Sequence, residues 1–359
     1  MKIGLIGLPR SGKTTLFNLL TGASVPTARY EATRPELHTG VARVPDPRVD
    51  RLSALFTPKK TTHASFEVVD LAGLARGERA SLETKEFRSA DALLHVVRAF
   101  EDPTLGAADP RRDVADLETE LILADLEVIE RRLERLEASI RKRRTDAEVA
   151  EQALLRNLRP QLEAEHPLRA VELTADETKA IRGFTFLSQK PILHCVNLDE
   201  KAVADGPRVL ERFGLDGVAG RPRTCVGWVS AVIEMEVAQL AGEEQQAFLA
   251  DLGLAEPAIH RVLSDCYALL GLVSFFTVGE DEVRAWPIPG GTRAQDAAGV
   301  VHSDIARGFI RAEVTGYDEL VAVKGSWADI RARGQLRLEG KDYVVQDGEI
   351  CHFRFNVAK

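Results

Sequence analysis

Residues 7–14 read Gly-Leu-Pro-Arg-Ser-Gly-Lys-Thr, a complete G-x-x-x-x-G-K-[ST] run that directly follows the apolar stretch Lys2-Ile3-Gly4-Leu5-Ile6. A helical pattern, Thr15-Leu16-Phe17-Asn18-Leu19-Leu20, comes next. Strand, glycine-bearing loop and helix in that order constrain this chain more than any other feature, because together they make a phosphate cradle. Gly7 and Gly12 permit the backbone angles and close approach that let consecutive N–H groups wrap phosphates. Lys13 would reach the outer phosphates, the Thr14 hydroxyl would ligate Mg²⁺, and the start of the helix adds partial positive charge. Pro9, Arg10, Ser11 and Thr15 complete the expected lining. A nucleoside triphosphate is the expected ligand.

Further along, Phe66-Glu67-Val68-Val69-Asp70 is a β-type run that ends in Asp70-Leu71-Ala72-Gly73. After a phosphate-binding loop, a strand-end Asp-x-x-Gly places Asp70 to hold a water on Mg²⁺ and the Gly73 N–H to sense the γ-phosphate. Leu74 then stands where many GTPases carry the glutamine that orients the attacking water. An aliphatic side chain cannot polarise water, so hydrolysis must be slow or must recruit water through another group. A later strand ends in Asn197-Leu198-Asp199-Glu200. A guanine-reading Asn-Lys-x-Asp would have lysine where Leu198 is and aspartate where Glu200 is, so bidentate guanine recognition should be weakened and adenine admitted. Ser230-Ala231 closes the next strand and suits the loop against the base.

The remaining layout follows from periodicity. Continuous apolar runs at 92–98, 191–197 and 224–230 suit buried parallel strands, and their alternation with helices indicates an α/β sheet. Ile122, Leu126, Ile129, Leu133, Leu136 and Ile140 are spaced 4, 3, 4, 3, 4, a heptad seam, and Leu154, Leu158 and Leu162 share one face of a second helix. An antiparallel helical hairpin inserted into the nucleotide domain explains both, with Arg141-Lys142-Arg143-Arg144-Thr145-Asp146 as its tip. That tip is either a solvated turn or a phosphate-contacting RNA element. From about 273, short β-type runs, among them 343–345, alternate with glycine and proline turns and imply a compact α+β module. The expected segments are 1–110 and 187–272 for the nucleotide domain, 111–186 for the insertion and 273–359 for the last module. His95 and His194 lie in apolar strands, where a core histidine with a backbone partner is the simpler reading, and Trp286 reads as core.

The chain has 359 residues, 45% hydrophobic and 28% charged, too long for one ordinary core. No apolar run approaches the ~20 residues of a membrane span, and Met1 leads straight into the first strand, leaving no room for a signal peptide. The four cysteines, 195, 225, 266 and 351, form no C-x-x-C pair, so no zinc site or disulfide framework is expected. The expected location is the cytoplasm. A net charge of −8 argues against binding nucleic acid over the whole surface, though not at a local patch.

By these and further residues the chain resembles the YchF/Obg-like ATPase family of P-loop proteins over nearly its whole length. Gly7-Leu8-Pro9, Asp46-Pro47-Arg48 with Asp50, Asp70-Leu71-Ala72-Gly73-Leu74, Asn197 with Glu200, and Val283-Arg284-Ala285-Trp286 carry the resemblance. Gly308-Phe309-Ile310-Arg311-Ala312 and Gly340-Lys341-Asp342-Tyr343 complete it. The resemblance implies a mostly parallel P-loop sheet with an inserted α-helical coiled-coil hairpin and a carboxy-terminal α+β TGS domain of ubiquitin-like fold. It implies ATP preferred to GTP, Mg²⁺, weak hydrolysis and association with the ribosome or ribosomal RNA; a monomer is expected. By the same resemblance Thr33 is the candidate switch-loop Mg²⁺ ligand. Three departures stand out. Arg10 and Ser11 replace the family's Asn and Val, the Asn being a potassium ligand in related proteins; Arg10 either points to solvent or folds back over the phosphates as a catalytic cation. The glycine-rich segment after Gly73 is shortened to 74–80. The loop 100–109 lacks the histidine proposed for hydrolysis in the family. A slow ATPase switch is the leading expectation, with a GTPase or a scarcely hydrolysing ATP-gated adaptor as alternatives.

Overall fold

A computed structural model describes residues 1–26, 37–71 and 85–356. Its strands, in chain order, are β1 (Lys2–Ile6), β2 (Leu37–Arg43), β3 (Lys60–Thr62), β4 (Ser65–Leu71), β5 (Ala92–Ala99) and β6 (Ile192–Leu198). They continue as β7 (Thr224–Val229), β8 (Leu272–Thr277), β9 (Glu282–Pro289), β10 (Phe309–Gly316), β11 (Arg337–Glu339) and β12 (Glu349–Phe355). The chain divides into two compact units, 1–42 with 67–269 and 43–66 with 270–359.

The first unit is built on a six-stranded sheet of order β2-β4-β1-β5-β6-β7. The β1–β4, β1–β5, β5–β6 and β6–β7 pairs are parallel. Apolar residues fill β5 and β6 on both faces, as expected where helices cover both sides of a parallel sheet. Helix α1 (Lys13–Thr21) follows β1 and buries Leu16, Phe17 and Leu20. The P-loop thus sits at the carboxyl end of the central strand, where ligands of open α/β sheets bind.

Between β5 and β6 the chain makes the expected hairpin: α4 (Pro110–Lys142) and α5 (Asp146–Glu163), which follow the short α2 (Pro47–Phe56) and α3 (Lys85–Arg88). The heptad seam is the buried face: Ile122, Ile129, Leu133 and Leu136 of α4 pack with Leu154, Leu155, Leu158 and Leu162 of α5. Thr145 caps α5 through a bond from the Glu148 amide. At its base, α4 is pinned by Asp125, whose two oxygens accept the Leu187 and Ser188 amides at 2.8 and 2.7 Å.

The second unit holds a mixed sheet of order β11-β10-β12-β8-β9-β3 over a core of Phe275, Trp286, Ile288, Ala297, Val314 and Phe353. Trp286 is core, as the sequence suggests. Residues 43–66 correct the expected segmentation. They belong to this unit because β3 pairs with β9, Lys60 opposite Glu282, and because Arg48 of α2 bonds Asp347 at 2.6 Å and lies over the Phe276 ring at 5.1 Å. The strand expected at 343–345 is a further correction. Only Val344 bridges, to Arg293, because Gly340 and Gly348 turn the chain on either side and the Tyr343 hydroxyl is drawn to Glu349 at 2.6 Å.

Candidate nucleotide-binding site

Close approach explains both P-loop glycines. A Cβ on Gly7 would lie 2.5 Å from the Val96 carbonyl oxygen, and one on Gly12 (φ +95°) would lie 2.4 Å from Asn197 Nδ2. Gly12 is also the residue before α1, so the Lys13, Thr14 and Thr15 amides open the helix and face where phosphates would bind. Pro9 and Arg10 are exposed, while Ser11 is buried with its hydroxyl lacking any hydrogen-bond partner among the described residues.

Lys13 is buried, and its ammonium donates to the Gly7 and Leu8 carbonyls at 2.9 and 2.8 Å. Burial pushes it down to about 8, against the attraction of Asp70. The Thr14 hydroxyl donates to Asp70 Oδ2 at 3.1 Å across the loop–β4 gap. Asp70 Oδ1 is buried with no partner among the described residues. Burial raises the Asp70 carboxyl, with Lys13, Thr14 and His38 acting the other way. Expected phosphate, metal and carboxylate groups therefore converge on one spot. Gly73, Thr33 and Leu74 lie outside the described residues.

Arg10 is exposed, as one of its two expected positions has it, but it is anchored at its end. It is a non-glycine residue in the left-handed region (φ +63°), and its guanidinium pairs with Asp102 Oδ2 at 3.0 Å. Asp102 also accepts the Thr104 and Leu105 amides, while Arg98 of β5 donates to the Phe100, Gly106 and Ala107 carbonyls. Burial would raise the Asp102 carboxyl, but those amides and the two guanidiniums hold it below the ordinary carboxylate range. Loop 100–109 is thus ordered by charge and tied to the P-loop. Sequence reasoning searched this loop for a histidine and missed both residues. Their signals were an aspartate opening an Asp-Pro turn and an arginine at the end of an apolar strand.

On the base side, Asn197 is buried: its Nδ2 donates to the Ser11 carbonyl at 3.0 Å and its Oδ1 accepts the Ala231 amide at 3.0 Å. It staples the P-loop to the turn after β7 while keeping a second N–H and a second oxygen lone pair. Leu198 is only 2% exposed, a core residue of β6, so it does not take the place against the base that a guanine-reading motif gives its lysine. The parallel pleat turns its side chain into the sheet's packing. Asp199 caps the turn after β6 by accepting the Lys201 amide at 3.0 Å, and Glu200 is exposed. Ser230 is buried, its hydroxyl without a hydrogen-bond partner among the described residues, next to Ala231.

The two core histidines are partnered by side chains, not by backbone as expected. His95 Nδ1 and His194 Nδ1 lie 2.9 Å apart, and His194 Nε2 is 3.2 Å from Glu118 Oε1 of α4. Arg169 bonds the same Glu118 and the Thr224 hydroxyl. Burial would raise Glu118, but His194 and Arg169 hold it at about 2. Burial lowers both histidines, so both are neutral at pH 7. An ionised Glu118 requires the proton on His194 Nε2, which makes His194 Nδ1 an acceptor and His95 Nδ1–H the donor. A buried polar chain thus runs from the strand beside the P-loop to the helical hairpin.

Comparisons with known proteins agree with this geometry. Residues 2–134 match a family described as 50S ribosome-binding GTPase, and residues 272–356 match the YchF-GTPase carboxy-terminal family, described as a protein of unknown function (DUF933). A protein of Bacillus subtilis (strain 168) named ribosome-binding ATPase YchF is 41% identical over 363 residues, covering 99% of both chains. One of the same name from Escherichia coli O157:H7 is 39% identical over 365 residues, again with 99% of each covered. The solved structure of the Schizosaccharomyces pombe YchF GTPase superposes with a TM-score of 0.83 at 28% identity, covering 99% of this chain and 97% of that one.

Proposed function

This chain belongs to the YchF family, and on that footing we propose that it is a Mg²⁺-dependent, slow ATPase that works as a conformational switch on the ribosome. The observation that carries the nucleotide reading is the buried Lys13 ammonium, held among the described residues by the Gly7 and Leu8 carbonyls of its own loop, beside the Thr14–Asp70 pair. Phosphate oxygens would replace those carbonyls and return the charge that burial disfavours. The unpartnered Asp70 Oδ1 and the Thr14 hydroxyl fit Mg²⁺, a hard cation that keeps several waters and takes few protein ligands. When bound, Mg²⁺ neutralises the β- and γ-phosphate charge. Thr33 is proposed as a further ligand and the Gly73 amide as the γ-phosphate sensor.

Hydrolysis is in-line attack of water on the γ-phosphorus, with the bond to the β–γ bridging oxygen breaking to give ADP and phosphate. Lys13 stabilises the charge that develops, and Arg10 supplies a second cation once it leaves Asp102. Pro9, Ser11, Gly12 and Thr15 shape the loop, and Asn197, Ser230 and Ala231 set the wall toward the base. ATP is favoured over GTP because Leu198 stands where a guanine reader has its lysine and Glu200 is one methylene too long for the guanine edge. The second reading, a GTPase, draws its support from the fission-yeast relative, which is named a YchF GTPase. Competition binding separates the two: ATP should bind at least several-fold tighter than GTP with Mg²⁺ present, and GTP binding tenfold tighter would end the ATPase reading. Single-turnover hydrolysis alone and with ribosomes then tests the switch; rates unchanged by ribosomes would remove the ribosome from it.

A further inference from the structure

We propose that the tip of the helical hairpin, Arg141-Lys142-Arg143-Arg144, is an RNA-phosphate contact that carries the ribosome association proposed above, on which it rests. The hairpin sorts its charges. Along the shaft, four arginines are neutralised in place, Arg131 by Glu127, Arg132 by Glu151, Arg156 by Glu137 and Arg159 by Glu163, at 2.7 to 3.2 Å, and the exposed Arg135 stands singly among them. At the tip, four consecutive cations are exposed, and none of their side chains makes a hydrogen bond or ion pair among the described residues. The acid nearest in sequence beyond Asp146, Glu148, attracts Arg143 at a distance, but its two oxygens accept the Ser139 and Thr145 hydroxyls at 2.6 and 2.9 Å. This concentration stands out in a chain of net charge −8.

The negative end of the α4 dipole accounts for cations in its last turn, Arg141 and Lys142, but Arg143 and Arg144 lie beyond the helix. The 33 residues of α4 hold this charge about 50 Å from the start of the helix, the reach of a probe and not of a packed core. The chemistry selects the partner. Three of the four side chains are arginines, whose planar fork matches phosphate oxygens in pairs. Membrane docking needs an apolar face beside the cations, and a protein hot spot needs aromatic anchors. The tip has neither: Ile140 packs into the hairpin core, and residues 141–146 contain no apolar or aromatic side chain. A phosphate backbone asks for charge alone.

The test compares wild type with R141Q/K142Q/R143Q/R144Q in the full chain, using a short A-form RNA duplex as probe across salt, and purified ribosomes in co-sedimentation. ATP affinity and helix content should be equal in the two proteins, since these four side chains pack against nothing. Wild type should bind the duplex with a steep salt slope; the variant should bind at least tenfold more weakly, with log K against log salt flatter by about 3. The charge-keeping variant R141K/R143K/R144K should retain most of that slope. Equal affinity and slope in wild type and the glutamine variant would overturn the proposal, as would binding lost to phosphatidylserine vesicles but not to RNA. Equal ribosome co-sedimentation with unequal RNA slopes would leave the RNA contact standing but remove it from ribosome association. Absence of wild-type co-sedimentation alongside a tip-dependent RNA slope would instead sink the ribosome reading and spare the RNA contact.

Discussion

Lys13 carries the clearest chemical consequence at the scale of single residues. Its ammonium is held at about 8 by burial, whereas phosphate oxygens stabilise the charged form. Binding must therefore take up a proton once the pH exceeds about 8, and ATP affinity should fall by up to tenfold per pH unit above it. Calorimetry in two buffers of different ionisation enthalpy reads that uptake directly. Lys13→Ala should abolish triphosphate binding and leave the fold intact; unchanged affinity would mean that the loop is vestigial. Arg10 allows a second test. Its guanidinium stands where related proteins are said to ligate potassium, and a cation cannot ligate a cation. Turnover should be the same in Na⁺ and K⁺, should drop at least tenfold in Arg10→Ala, and should persist in Asp102→Asn, where the arginine is released. Strong potassium stimulation of wild type would exclude this role. Leu198 shows where residue-level reading failed: the motif assigned it to the base, yet nothing in four letters of sequence says on which side of a pleated strand a leucine lies. The partner of Arg10 was illegible for another reason: Asp102 is in a loop that the P-loop motif does not mention.

Elements were legible in proportion to how much of their burial is periodic. The α4–α5 hairpin could be read because its seam repeats every three and four residues, and β5 and β6 because both faces are apolar. Helix α2 went unread as a helix although Asp46 caps it and Pro47 opens it, because only Val49 and Leu52 are buried and ten residues carry little periodic signal. The histidine chain was visible only as two polar residues in apolar strands; register puts His95 opposite His194, and α4 brings Glu118 to them. That chain sets a pH dependence. Glu118 sits at about 2 in the fold and at the ordinary carboxylate value when unfolded. Its contribution to stability is therefore complete above the unfolded value and is lost as pH falls from about 5 toward 2. The loss is on the order of 3 kcal/mol. Thermal melts of Glu118→Gln should show lower stability at pH 7 and a flatter acid limb than wild type. Parallel acid limbs would show that Glu118 is not the group being titrated.

On the scale of the whole chain, the two compact units are not two halves of the sequence. Residues 43–66 leave the nucleotide unit, add α2 and β3 to the carboxy-terminal sheet, and return. Residues 270–359 alone would expose Phe276, which Arg48 covers, and would leave the edge of β9 unpaired opposite Lys60–Thr62. The excised fragment 270–359 should melt lower than the same fragment carrying 43–66 on a flexible linker; equal melting temperatures would show that the inserted segment adds nothing to the fold. Sequence alone determined the glycine-bearing loop between β1 and α1, the acid that ends β4, the parallel sheet and the hairpin. Each of these is a local or periodic pattern: glycines where the backbone must approach, an acid at a strand end, apolar residues at the spacing of the element that buries them. Only tertiary structure decided where Arg10 anchors, that Asn197 staples the P-loop to the turn after β7, that Leu198 is core, and which unit claims residues 43–66. The physical reason is common to all four. Each depends on a partner dozens to hundreds of residues away, and a hydrogen bond, ion pair or strand edge leaves no periodic trace in the segment that receives it.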